Sequence, residues 1–340
     1  MNALNETTAS AFADLVRQQA AELRNGTTPK PLNVDEALSD GEKLRDKVVV
    51  VTGAASGFGK AYALAAAKFG AKIVLSDLKK DAMMAVVDEI TAAGGEATGI
   101  ECDVTEWDAQ VEMFRHGIDA FGRIDIVVAN AGISDAKEQL LDLREGKDGA
   151  PTKPTLKTID VNLVGLIYTT KLAFFHLNKN PSKDGKSIVL VASLAAFAGL
   201  PGSPVYCAAK HGVLGVMRSL YYDASIYGIS INSIHPGFVK TPMLNATELL
   251  VIAGIPTSPI EDVVAAMVAA STKPEMSGSA FVVDFKGILE LPHAQFERES
   301  YYDALVSRSI GLMSWAKWFS DIVGGLSVAL KRRSLLASTQ

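Results

Sequence analysis

The chain has 340 residues, 48% of them hydrophobic and 21% charged, which is the composition of a globular protein with ample core. A formal charge of −5 and a pI near 5.6 argue against broad nucleic-acid binding, which needs a basic footprint. The two cysteines, Cys102 and Cys207, offer neither a disulfide framework nor a metal cluster, and read as buried thiols in a reducing compartment.

The first residues, Met1 to Glu6, lack the basic start and apolar block of a secretory signal, and Glu6, Asp14 and Glu22 count against a mitochondrial presequence. No stretch reaches the roughly 20 uninterrupted apolar residues that span a bilayer. Gly311 to Leu330 comes nearest and is interrupted by Lys317 and Asp321. A cytoplasmic protein is the expectation.

Residues 1–45 read as an N-terminal extension, partly helical over Ala11–Leu23, followed by breakers from Asn25 to Pro31. From there short β-branched runs alternate with longer helical patterns. Strands are predicted at Val48–Val51, Lys72–Ser76, Ala97–Glu101, Ile124–Ala129, Ser187–Ala192, Ser230–Ile234 and Ala280–Asp284. Helices are predicted at Gly57–Phe69, Lys79–Ala93, Glu106–Phe121, Thr155–Leu177, Pro204–Tyr227 and Pro259–Ser271. Such alternation implies parallel βαβ units. Runs apolar on both faces, such as Val48 to Val51, suit strands covered by helices on both sides. The expected fold is α/β, a doubly wound, Rossmann-type, mostly parallel seven-stranded sheet over residues 46–287. Residues 288–340 form a tail in which Leu312, Trp315, Phe319, Ile322, Val323, Leu326 and Leu330 recur at amphipathic-helix spacing.

After Val51 the chain turns through Thr52, Gly53, Ala54, Ala55, Ser56, Gly57, Phe58 and Gly59 into a helix. A glycine-rich turn between a buried strand and a helix N-terminus is where a dinucleotide diphosphate sits. Positive φ, close backbone approach and tight helix-to-strand packing are the expected reasons for Gly53, Gly57 and Gly59. The spacing is GxxxGxG rather than the GxGxxG of the standard fingerprint. Asp77, 18 residues beyond Gly59, stands where a carboxylate meets the adenosine ribose hydroxyls and repels a 2′-phosphate. NAD is therefore expected in preference to NADP. A plain strand-to-helix turn, and Asp77 as a simple N-cap, are the bland alternatives.

Tyr206 and Lys210 lie four residues apart, on one face of the predicted helix. A phenol has an ordinary pKa near 10, and a neighbouring ammonium favours its ionised form. Tyr206 can thus take the proton of a substrate hydroxyl while Ser193, thirteen residues earlier, holds the substrate oxygen. Alone, the pair would suit a core tyrosine and a snorkelling lysine. The scattered His116, His176, His211 and His293 read as surface or satisfied core residues, and His235 as a residue that shapes the following Pro236–Gly237 turn. No spacing suggests a metal site.

With these residues in place, the chain resembles the short-chain dehydrogenase/reductase family over roughly Leu44 to Gly287, as an NAD-preferring member with N- and C-terminal extensions. The resemblance is carried by Thr52-Gly53-x-x-x-Gly57-x-Gly59, Cys102-Asp103-Val104, Asn130-Ala131-Gly132, Asn162, Ser193, Tyr206-x-x-x-Lys210 and Pro236-Gly237-Phe238-Val239-Lys240-Thr241. It implies that Gly53, Ser56, Gly57, Phe58 and Gly59 form the cofactor turn, and that Asp103 and Val104 contact the adenine. It also implies that Asn130, Ala131 and Gly132 support the cofactor and that Lys210 binds the nicotinamide ribose. Asn162 is expected to hold a water linking Lys210 to solvent. By the same resemblance Pro236, Gly237, Val239 and Thr241 would lie at the nicotinamide, the last two anchoring its carboxamide. Departures are Ala129, where many relatives have asparagine, and Asp284 to Gly287 in place of the usual Asp-Gly-Gly.

The implied activity is NAD-dependent interconversion of a secondary alcohol and its ketone by hydride transfer. Alternatives are an NADPH-linked ketone reductase, and a dinucleotide-binding sensor or scaffold without catalysis. Leu194 to Val205 and Met243 to Pro259 are largely apolar, which favours a hydrophobic small-molecule substrate. The resemblance also implies a homodimer or homotetramer. The tail has three readings: a lid on the pocket, packing at a subunit interface, or peripheral membrane contact through Trp315, Trp318, Phe319 and Lys331 to Arg333.

Overall fold

The computed structural model describes residues 29–134, 140, 143, 145–146, 148–182, 184–243 and 253–292, all within one compact unit, Thr28–Pro292. The predicted helix at Ala11–Leu23 and the amphipathic tail lie outside the described residues.

The strands are β1 (Lys30–Leu32), β2 (Val48–Thr52), β3 (Lys72–Asp77), β4 (Glu96–Glu101), β5 (Ile126–Ala129), β6 (Ser187–Val191), β7 (Ser230–Pro236), β8 (Ala280–Asp284) and β9 (Gly287–Leu291). The helices are α1 (Val34–Leu38), α2 (Gly57–Lys68), α3 (Lys80–Ala92), α4 (Trp107–Phe121), α5 (Lys157–Ile159), α6 (Leu166–Lys179), α7 (Pro204–Ile226) and α8 (Ile260–Thr272). A π-helical turn, Asp160–Gly165, joins α5 to α6.

These nine strands form one sheet in the order β1-β9-β8-β7-β6-β5-β2-β3-β4. Strands β2 to β8 are parallel, with Val50 of β2 in register with Val74 of β3 and Val127 of β5. The fold is thus a doubly wound α/β sheet. All five β2 residues are buried, and successive side chains enter opposite cores. Val49 and Val51 join Ile73, Leu75 and the helices α2 and α8, whereas Val48 and Val50 join Met113, Phe114 and Leu177 on the other side. A strand wetted on neither face must be apolar at every position, which is why β2 reads as an unbroken valine run.

Among the described residues the sheet has nine strands rather than seven. At Asp284 the chain turns back through Phe285 and Lys286, with the Lys286 amide donating to Asp284 Oδ1 at 2.7 Å, and β9 pairs antiparallel with β8. Gly287 opens β9 at φ +110°, a conformation that favours glycine. Strand β1 pairs with β9 as the outermost strand, where Pro31 costs no ladder donor that the sheet needs. Gly287–Leu291 is therefore strand, although the alternating rhythm of the sequence breaks off there.

Candidate active site

Strands β3 and β4 lie to one side of β2, while β5 and β6 lie to the other. The loops leaving the C-terminal ends of β2 and β5 therefore part in opposite directions, and a crevice opens between them. A cleft of about 770 Å³ occupies this place.

The turn after β2 needs its glycines for three different reasons. Gly53 sits at φ +66°, and a Cβ there would come within 2.8 Å of Ala131 Cα. Gly57 sits at φ +57° without crowding, a Cβ there making ordinary van der Waals contact with Thr241 at 3.9 Å. Gly59 lies behind the cleft, where a Cβ would overlap Gly53 O and approach Asn130 Nδ2 to 2.6 Å. Ser56 is the N-cap of α2 but makes no side-chain cap bond. The first amides of α2 are thus left to an anion at the cleft floor.

Thr52 and Asn130 hold this turn against β5. The buried Thr52 hydroxyl accepts from the amides of Asn130 and Ala131, both at 3.0 Å. The Asn130 side chain donates to Thr52 O at 2.8 Å and to Gly53 O at 3.1 Å. Asn130 therefore supports the site by shaping the glycine turn. Thr52 stands in the motif read from the sequence, yet its part in this clamp had no sequence signal.

Asp77 ends β3 at the far end of the cleft. Its Oδ2 accepts from the Ala55 amide and its Oδ1 from the Lys79 amide, each at 2.9 Å. The N-cap position of α3 is Lys79, so Asp77 braces the glycine turn rather than capping the helix. A carboxylate has about four acceptor sites, so two remain for a ligand. Exposed Leu78 and Lys79 flank it at the cleft wall. Asp103 and Val104 line the same end, with Asp103 Oδ1 tied to the Thr105 amide and hydroxyl.

Tyr206, Lys210 and Thr241 line the opposite end, together with Ala131 and Gly132. Pro204 begins α7, where its missing amide costs nothing, and the helix carries Tyr206 and Lys210 on one face. Lys210 is 4% exposed and points along the half-buried Tyr206 ring, its Nζ 5.6 Å from the ring centroid. Nζ donates to Val191 O at 3.0 Å. Burial pushes the Lys210 ammonium down to about 8, so it remains mostly charged at neutral pH.

Ser193, just beyond β6, accepts from the Ala195 amide at 3.2 Å, and its hydroxyl lies 3.5 Å from Pro236 O. That separation is too long for a strong bond, so the proton is free to serve a substrate oxygen. The fully buried His235 holds the Ser193 main chain, with Nδ1 3.0 Å from Ser193 O and Nε2 2.8 Å from Ser233 Oγ. A carbonyl only accepts, so Nδ1 carries the proton and Ser233 donates to Nε2. The ring also packs on Phe197 at 4.7 Å.

Several expected residues lie behind the cleft instead of on its wall. Asn162 is fully buried in the π-helical turn; its Oδ1 accepts from Ile133 N and its Nδ2 donates to Ile133 O, both at 2.8 Å. The Val239 side chain is in the core, so contact with a cofactor would fall to its backbone. Gly237 is tied to β8 through its amide and Val283 O at 2.8 Å.

Residues 47–249 match the family model for short chain dehydrogenase. The chain belongs to the short-chain dehydrogenase family. It is an oxidoreductase by that membership. The 15-hydroxyprostaglandin dehydrogenase [NAD(+)] of Mus musculus is 36% identical over 207 residues, covering 59% of this chain and 71% of that protein. The cyclohexanol dehydrogenase of Acinetobacter sp. (strain SE19) is 34% identical over 203 residues, covering 59% and 76%. A crystal structure of a short-chain type dehydrogenase/reductase from Mycobacterium marinum superposes with a TM-score of 0.66 at 28% identity, covering 73% of this chain and 98% of that one.

Proposed function

We propose that this short-chain dehydrogenase is NAD-dependent and interconverts a hydrophobic secondary alcohol and its ketone. The reading is carried by one observation: a single cleft has Asp77 at one end and Tyr206 with Lys210 at the other. Gly53, Ser56, Gly57 and the N-terminal amides of α2 fit the diphosphate, and the free acceptor sites of Asp77 fit ribose hydroxyls. Bound NAD supplies the hydride acceptor.

The remaining work falls to the chain. The Ser193 hydroxyl holds the substrate oxygen, and Tyr206 takes its proton in the oxidising direction and returns it in the other. The buried Lys210 ammonium, 5.6 Å from the centroid of the Tyr206 ring, favours the phenolate. Held to Val191 O, that ammonium cannot swing away. Phe197, Met243 and Ile255, at 39%, 41% and 46% exposure, present apolar surface from the two segments assigned to substrate specificity. Relatives named for hydroxyprostaglandin and cyclohexanol support a hydrophobic alcohol.

A panel of hydrophobic secondary alcohols, cyclohexanol included, with NAD or NADP tests this reading by absorbance at the nicotinamide band. Turnover with NAD is expected, and Tyr206→Phe should lower kcat at least 100-fold with cofactor affinity retained. Near wild-type rates in that variant would show that another group is the base. Tighter binding of NADPH than NADH would make Lys79, not Asp77, the selector and favour the ketone reductase. Cofactor binding without turnover on any alcohol would favour the sensor.

The expected division at 1–45, 46–287 and 288–340 widens at its centre, because β1, α1 and β9 belong to the compact unit Thr28–Pro292. The same reading keeps a cytoplasmic setting suited to the free buried Cys102 and Cys207, and a homodimer or homotetramer. An apolar groove of about 970 Å³ along α6 and α7, with Phe174, Phe175, Val216 and Leu220, supports self-association. Among the described residues no helix is long and apolar enough to cross a membrane. Peripheral contact through the tail stays second to packing against protein, and liposome co-sedimentation after removal of residues 312–340 separates the two.

A further inference from the structure

Gln110 is fully buried in α4 and joins two segments that serve different ends of the cleft. Its Nε2 donates to Val104 O at 2.6 Å and to Gly165 O at 2.8 Å, while Oε1 accepts from the Thr169 hydroxyl at 2.7 Å. Two main-chain carbonyls at one terminal atom require the amide nitrogen there, since only it carries two protons. The surroundings thus dictate the orientation of this side chain.

Val104 belongs to the loop after β4 and lines the cleft. Gly165 closes the π-helical turn that carries Asn162. Loop and turn also touch directly, because a Cβ on Gly165 would lie 2.9 Å from both Val104 Cγ2 and Val104 O. Asn162 continues the connection by pairing with both backbone groups of Ile133. Ile133 follows Gly132, where a Cβ would lie 3.7 Å from Lys210 Nζ. A run of buried and part-buried hydrogen bonds and close backbone contact therefore leads from Val104 to the neighbourhood of the ammonium.

A π-helical turn has a less regular bond ladder than an α-helix and depends on its surroundings to persist. Gln110 supplies that support from outside the turn by donating to both buried carbonyls, with the Thr169 hydroxyl as a second donor to Gly165 O at 3.0 Å. We propose that Gln110 is a positioning residue that couples ligand occupancy of the Asp103–Val104 loop to the setting of the Asn162 turn. A nucleotide's adenine half thereby steadies the backbone beside Lys210. The inference rests on the dinucleotide reading above.

Hydrogen–deuterium exchange of the full chain, with and without saturating AMP, tests it without any turnover. AMP is expected to slow exchange at residues 102–105 and also, at least threefold, at residues 160–165. In Gln110→Met the slowing at 102–105 should persist while that at 160–165 is lost. Thr169→Val removes the partner of Oε1 together with a second donor to Gly165 O while leaving the Gln110 amide in place; it should give a partial loss at 160–165 and serves if the methionine variant does not fold. Equal slowing at 160–165 in wild type and variant, or none there in wild type while 102–105 responds, overturns the coupling. No response at 102–105 in wild type overturns the nucleotide reading, and the coupling with it.

Discussion

The ammonium of Lys210 is held 3.0 Å from the main-chain oxygen of Val191, the last residue of the central strand β6. This contact ties a helix residue to the sheet and leaves a cation in a site that is 4% exposed. Burial opposes the charged form, and the pKa falls from its ordinary 10.5 to about 8.

A pH dependence of stability follows from that burial. Above about 10.5 Lys210 is neutral in both folded and unfolded chains; as pH falls toward 8 the unfolded chain binds the proton first, and stability is lost. Lys210→Met should flatten this part of the curve and remove most of the activity. Thermal melts of both proteins between pH 7.5 and 10.5 check the difference. Parallel curves would mean that the ammonium is solvated more than its burial implies.

Gly59 and Gly57 separate backbone crowding from backbone conformation. Alanine at Gly59 meets Gly53 O and Asn130 Nδ2, neither of which can retreat without opening the turn. Alanine at Gly57 makes only ordinary contact with Thr241 and bears a left-handed φ of +57°, a strain of roughly 1–2 kcal/mol. Gly59→Ala should therefore lower Tm more than Gly57→Ala, while both weaken NAD binding at least tenfold. Melting curves and calorimetric titration measure the two effects; a smaller Tm loss for Gly59→Ala contradicts the crowding argument.

His235 has the acid-side counterpart of the Lys210 effect. Burial, opposed in part by its bond to Ser193 O, lowers its pKa from 6.5 to about 4. Stability from this group is full above 6.5 and is lost as pH falls toward 4, on the order of 3 kcal/mol by linkage. His235→Gln should flatten that acid limb and lower kcat through a displaced Ser193, leaving cofactor affinity unchanged. Urea melts at pH 4.5 and 7 with a kinetic split of kcat from KM check both parts. An unchanged acid limb would show that other groups govern it.

The parallel strands were legible because burial on two faces demands uninterrupted apolar runs, as at Val48 to Val51. Tyr206 and Lys210 were legible because helical spacing puts them on one face whatever the helix packs against. Strand β1 was not, since three residues including Pro31 carry no strand pattern until β9 offers an edge. The π-helical turn at Asp160–Gly165 had no signal either, because its widened ladder is supported from outside by Gln110, 55 residues away from Gly165.

Local chemistry, written in the order of residues, determined the alternation of strands and helices, the glycine turn and the tyrosine–lysine face. Those features depend on neighbours within a few positions, so a linear reading reaches them. Only the tertiary structure decided how Thr52 and Asn130 clamp the turn, how His235 holds Ser193 and which carbonyls Gln110 joins. Each of these is a hydrogen bond between segments brought together by burial, and its geometry comes into being with the packed core.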